Sequence, residues 1–207
     1  MGKNDTVRTI RREVVVDPSE TTRRAPFPKD EIQAYLQGAL HDASLNKRNR
    51  FRFSQKGDEW LNVLQSLISS LGYNSWIYKE GKDRDVYVLE TLASFLDFAF
   101  DPCALSTSIA KSAYIRGFFD AEGGIPKNKT ARFYVQLTQC DRNKIQALKQ
   151  LLFDLDIKTG CIHNPSKRVN PYYWRIYVLS KDHKDFIRYV GSWHPRKQKI
   201  FQERMKI

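Results

Sequence analysis

Cysteine is scarce in this chain: Cys103, Cys140 and Cys161 are too few and too scattered for a disulfide framework or for the paired spacing of a thiolate metal site. A reducing compartment fits that usage. The four histidines, His41, His163, His183 and His194, share no i, i+4 spacing and no neighbouring cysteine pair, so a zinc site is not expected. No glycine-rich loop with the GxxxxGK spacing occurs, which argues against a nucleotide hydrolase. A run of about 18 apolar residues is also missing, and the first 24 residues are charged rather than apolar. Neither a membrane span nor a signal peptide is expected, and the expected location is intracellular, in cytoplasm, nucleoid or organelle. Acidic residues are the minority charge, 23 against 35 Lys and Arg, which leaves +12 and a pI near 9.6. Such a balance favours a polyanionic partner, with nucleic acid first.

What is present is a core-building composition, 41% hydrophobic and 13% aromatic, arranged as a pattern written twice. Ala34-Tyr35-Leu36-Gln37-Gly38 matches Ala113-Tyr114-Ile115-Arg116-Gly117. Each copy continues with a period-2 strand, 50–56 and then 132–139, whose wet faces carry Arg50, Arg52, Ser54 and Lys56, and Arg132, Tyr134, Gln136 and Thr138. An amphipathic helix follows, with Trp60, Leu64, Leu67, Ile68 and Leu71 in one copy and Ile145, Leu148, Leu151, Leu152 and Leu155 in the other. A second strand pair comes next, near 76–78 and 86–89, then 161–163 and 173–179, before closing helices near 91–100 and 182–190. The expected class is therefore α+β: two pseudo-symmetric αββαββα repeats whose antiparallel sheets form a saddle open on one face. The boundaries read as a basic arm over 1–30, repeats over 31–105 and 106–192, and a basic tail over 193–207.

The segment Ile115-Arg116-Gly117-Phe118-Phe119-Asp120-Ala121-Glu122-Gly123-Gly124 resembles the signature of the LAGLIDADG homing endonucleases. The residues themselves support a helix-pair role, because small residues four apart, Ala113 with Gly117 and Ala34 with Gly38, let two helices approach closely. The resemblance implies that Glu122, just ahead of the glycine, holds a divalent metal that activates water for phosphodiester cleavage; Asp120 is a second metal-ligand candidate, although the family's acid at that position is more often structural. Mg²⁺ is the expected ion, or another divalent cation such as Mn²⁺ or Ca²⁺. It also implies that Gln55 and Lys56, with Gln139 matching in the second copy, sit beside the metals; Cys140 occupies the position a second lysine would take, and Lys127 is a candidate for that charge.

The first copy departs from the signature. Five residues after Gly38 stands Ala43, where the second copy has Glu122, and Asp42 lies one residue earlier. A change in the helix end could bring Asp42 into a shared centre; without it, the protein would nick one strand or only bind. Arg50, Arg52, Arg132, Tyr134, Gln136 and Thr138 are the residue types that contact bases and phosphates, and Lys127, Lys167, Arg168 and 196–199 read as further phosphate contacts. The implied partner is double-stranded DNA, bound by a monomer. A cleavage-deficient DNA-binding regulator and a helper that binds intron RNA are the competing readings.

Overall fold

The structure, a computed structural model, describes residues 27–205. The expected basic arm thus lies outside the described residues except for its last positions, of which Lys29 and Asp30 already belong to a helix. That helix, α1 (Lys29–Ala39), starts behind Pro28 and carries Asp30 and Glu31 in its first turn, where acids complement the helix dipole. It tightens into a 3₁₀ turn, Leu40–Asp42, and is followed by β1 (Ala43–Leu45), β2 (Phe51–Lys56), α2 (Glu59–Ser70), β3 (Ser75–Lys79) and β4 (Val86–Thr91). The second repeat runs α3 (Ser108–Glu122), β5 (Gly123–Gly124), β6 (Gln136–Gln139), α4 (Arg142–Asp154) and β7 (Trp174–Tyr177). Helical turns over 180–190, including α5 (His183–Asp185), and a final helix α6 (Pro195–Met205) complete it.

Both sheets are antiparallel and follow one plan. The first has the order β1-β2-β4-β3; the second has β5-β6-β7, with its outer edge reduced to the bridges Thr159↔Val178 and His163↔Arg175. In the first sheet Phe53 lies opposite Leu89, and in the second Leu137 lies opposite Ile176; all four are fully buried beneath α2 and α4. Alternation sends Arg52 and Glu90 of one sheet, and Thr138 and Arg175 of the other, to the opposite, helix-free face.

The two halves meet through α1 and α3, which touch backbone to backbone. A Cβ added at Gly38 would lie 2.0 Å from the Tyr114 carbonyl oxygen, and one at Gly117 would lie 1.9 Å from that of Tyr35. The reciprocity is that of a twofold, with Tyr35 and Gly38 of one helix corresponding to Tyr114 and Gly117 of the other.

Besides the strand expected over 161–163, of which only the His163↔Arg175 bridge forms, three sequence expectations differ from the structure. No closing helix forms over 91–100. Thr91 ends β4, the Asp97 carboxylate accepts from the Ala99 amide at 2.8 Å, and Gln37 ties down both the Phe95 carbonyl and the Asp97 amide, so local side-chain bonds displace the helix. In the second copy the ladder begins only at Gln136, not at Arg132. The expected basic tail over 193–207 instead contains α6: Phe201 stacks on Phe119 at 5.7 Å, and Arg204 donates to the Asn128 and Ala131 carbonyls. Pro195 at the first helical position, with Lys197, Ile200, Phe201 and Arg204 on one face, is the signal that marks this helix in the sequence.

Since neither glycine can accept even a methyl group without moving a facing backbone, Gly38→Ala and Gly117→Ala should each cost at least about 3 kcal/mol of stability. Urea unfolding is the check; an unchanged midpoint would mean that the helix backbones are not in contact.

Candidate active site and nucleic-acid interface

The pseudo-twofold pairs side chains across the helix junction. Tyr35 donates its hydroxyl to the Asp120 carboxylate at 2.8 Å, and on the other side the Tyr114 hydroxyl meets His41 Nε2 at 2.8 Å. His41 therefore stands where the second copy has Asp120. Burial, with Lys144 nearby, lowers the His41 pKa to about 4, so this ring is neutral and makes an ordinary polar contact.

Asp120 is not available to a cation. It is 2% exposed; Ser192 donates to Oδ1, and Tyr35 and the amides of Trp193 (2.8 Å) and His194 (3.1 Å) donate to Oδ2. The metal-ligand reading of Asp120 is thus corrected: its oxygens hold the chain that leads into α6. Trp60 extends the network by donating to Tyr35 at 2.9 Å.

Asp42 and Glu122 are placed differently. Each is the last helical residue before the first strand of its repeat, β1 at Ala43 and β5 at Gly123. The mismatch of one residue in the sequence motif is absorbed by the 3₁₀ turn Leu40–Asp42. Three 3₁₀ residues advance about 6 Å in about one turn, and four α-helical residues advance about 6 Å in slightly more than one. Burial, then the negative charge of Glu122, pushes the Asp42 carboxyl up to about 6, while Gln55 and Lys197 pull it down. Burial likewise raises Glu122, opposed by Lys197. Among the described residues the Glu122 carboxylate has no hydrogen-bond donor, whereas Gln55 donates to Asp42.

The remaining candidates divide. Gln55 reaches Asp42, but Gln139 lies at 3.4 Å from His41 Nδ1 and accepts from its neighbour Cys140, and it makes no hydrogen bond to Glu122. Lys56 is exposed and, by strand alternation, points to the opposite side of β2 from Gln55. The cation coupled to the two carboxylates is instead Lys197, which sequence reasoning assigns to a phosphate-binding tail. This residue is 2% exposed, and its amine donates to the carbonyls of Phe119, Asp120 (3.1 Å) and Gly123 (2.8 Å), the orphan acceptors at the end of α3. Burial lowers its pKa to about 8 against the pull of Asp120, Glu122 and Asp42. Thr138, expected among the DNA contacts, is also spent here: it is 8% exposed and donates to the Glu122 carbonyl at 3.0 Å.

On the helix-free face Arg50 pairs with Glu90 at 3.2 Å and lies over Trp76, and Arg52 pairs with Glu80. Arg132, Tyr134, Lys127, Lys167 and Arg168 are exposed, and Gln136 is half-buried. Sequence reasoning missed Tyr173, Arg175 and Tyr177, which line the same side of the second sheet. Arg175 donates to the Tyr177 hydroxyl at 2.8 Å and to that of Tyr173 at 3.2 Å. The alternation Tyr173-Trp174-Arg175-Ile176-Tyr177 is the signal that carries them.

Comparison with known proteins places this geometry. Residues 110–191 match the family model described as a LAGLIDADG-like domain, and the second repeat is such a domain. The whole chain has the two-repeat LAGLIDADG fold. It is similar to the homing endonuclease I-DmoI solved with DNA and Mn, at 19% identity and a TM-score of 0.61 over 79% of this chain and 98% of that one. The I-DmoI complex with DNA and Ca matches at 18% identity and a TM-score of 0.63, over 84% and 98%. Full-length DUF199/WhiA from Thermatoga maritima matches at 17% and 0.63, over 87% of this chain and 61% of that one. No curated protein matches in sequence. No helix among the described residues is long and apolar enough to cross a membrane.

A buried amine that satisfies three carbonyls is worth more to the fold than to DNA binding. Lys197→Met should cost about 3 kcal/mol, whereas Arg196→Gln and Lys199→Gln, both exposed, should stay within about 0.5 kcal/mol. Denaturant unfolding of the three variants tests this; equal stabilities would remove Lys197 from the centre.

Proposed function

We propose that this protein is a site-specific endonuclease for double-stranded DNA that uses Mg²⁺, or another divalent cation such as Mn²⁺ or Ca²⁺, and works as a monomer because one chain supplies both halves of the centre. The observation that carries the reading is the placement of Asp42 and Glu122 at equivalent helix ends, close enough for one to raise the other. Two carboxylates that repel one another in a half-buried site suit a hard cation. Among the described residues no group of three or more His, Cys, Asp or Glu is assembled for a metal. The other coordination positions would fall to backbone oxygen, water and the DNA phosphate, which Mg²⁺ accepts.

Bound between Asp42 and Glu122, such a cation would neutralise charge developing on the phosphate under attack. The chain's own groups prepare that position. Gln55 orients Asp42, Thr138 and Lys197 fix the end of α3 from which Glu122 projects, and the shared helix pair holds the two carboxylates in register. The flanking sheets, with Arg50 and Arg52 on the helix-free side of the first and the exposed Arg132 and Tyr134 leading into β6 of the second, would position a duplex across them.

One observation favours a second reading, a DNA-binding regulator without cleavage: Lys197 already places a positive charge beside the carboxylates. Incubation of the protein with a plasmid library in Mg²⁺ separates the two. A cut or nick at a rare site, lost in Glu122→Gln by at least about a hundredfold while binding is retained, is the expected result. Tightly held but uncut DNA would select the regulator, and preference for a structured intron RNA would select a splicing role.

Cation binding also has a signed pH dependence. The native Asp42 carboxyl titrates near 6 and its unfolded counterpart near 3.8, so the metal-free protein loses stability as pH rises across that window. Binding requires the ionised form, so Ca²⁺ at about 5 mM, above the roughly 10⁻⁴–10⁻³ M dissociation constants of weak oxygen-ligand sites, should raise the melting temperature more at pH 7 than at pH 5. Equal shifts at the two values would exclude Asp42 as a ligand.

A further inference from the structure

The two sheets share a plan but not a charge pattern. In the first, Leu89 lies opposite Phe53, and the next residue, Glu90, faces the helix-free side; in the second, Ile176 lies opposite Leu137, and the next residue is Tyr177. An acid in one half is thus a tyrosine in the other. Glu90 is 6% exposed and is held by Arg50 (3.2 Å), Asn46 (2.9 Å) and Tyr78 (3.0 Å), and Glu80 holds Arg52. Although burial pushes the Glu90 carboxyl up, these donors bring it below its usual range, so it is a full negative charge.

The second sheet has no such brake. Residues 123–140 and 157–180, which supply its strands and loops, contain seven Lys and Arg and no Asp or Glu, although Lys129 among them pairs with Glu203 of α6 at 3.0 Å. Arg175 is held only by neutral hydroxyls, its guanidinium keeps its whole charge, and its buried Nε has no partner. Because Tyr173 and Tyr177 accept from Arg175, their own O–H groups remain to donate to a phosphate or a base edge. A phosphate approaching Arg50 or Arg52 meets a carboxylate a few ångströms away, and at that range the repulsion offsets much of what the arginine returns. A phosphate approaching Arg175, Arg132 or Lys167 meets no acid from its own strands.

We infer that the two repeats are unequal on the duplex: the second sheet supplies most of the electrostatic binding, and the first engages only as Arg50 and Arg52 leave Glu90 and Glu80. The inference rests on the DNA-binding reading above and adds a division of labour to it.

The test uses the full chain and a random-sequence 30-base-pair duplex, roughly three helical turns, followed by fluorescence anisotropy across a range of KCl concentrations. Lys167→Gln with Arg168→Gln should flatten the log-log salt dependence by nearly two units, while Arg50→Gln with Arg52→Gln should change it by less than one. Glu80→Gln with Glu90→Gln should tighten binding about tenfold. Glu80→Gln alone, at a side chain 39% exposed, should tighten it about threefold with the melting temperature unchanged, which guards against a folding defect. Equal slope losses from the two basic pairs, or no gain from removing the acids, would overturn the inference while leaving the DNA reading intact. A wild-type chain with no salt-dependent duplex binding would overturn both.

Discussion

Backbone contact between α1 and α3 at Gly38 and Gly117 is the constraint on which the rest of the molecule depends. Side chains at those two positions would force the helices apart, and a gap there would separate the two carboxylates and change the angle between the sheets. The contact has no directional chemistry of its own. Its effect is to turn two modest half-domains into one frame whose acidic helix ends and sheet faces are fixed by the same pair of axes.

Around this frame the symmetry is approximate, and each departure has a local cause. A turn of 3₁₀ helix brings Asp42 to the place that Glu122 reaches with one more residue. His41 replaces Asp120, so one cross-helix tyrosine meets a neutral ring and the other meets a carboxylate already claimed by Ser192, Trp193 and His194. The second difference follows from α6, which has no counterpart in the first repeat and needs an anchor. The duplicated pattern is thus a scaffold on which the halves have taken different duties.

Much of this was legible in the sequence because it depends on spacing. The repeated Ala-Tyr-x-x-Gly segments, the apolar stripes of α2 and α4 and the strand alternation fix which faces turn inward, and the glycines announce the helix junction. What was not legible depends on contacts between distant residues. Nothing local distinguishes Lys197 from the exposed Arg196 and Lys199 beside it; only the packing of Phe201 on Phe119 decides which of them turns inward. Asp120 and Glu122 are equally acidic in sequence and diverge only because the chain after Val190 folds back onto one of them. Thr138 has the parity of a recognition residue, yet its place at the end of the strand beside α3 gives its hydroxyl to a carbonyl.

The grip of Lys197 on the end of α3 has a consequence for biosynthesis. Its amine binds the Gly123 carbonyl across 74 residues of chain. During translation the helix pair and the first sheet can form while those carbonyls still lack their donor, so the end of α3 is completed only when α6 docks on it.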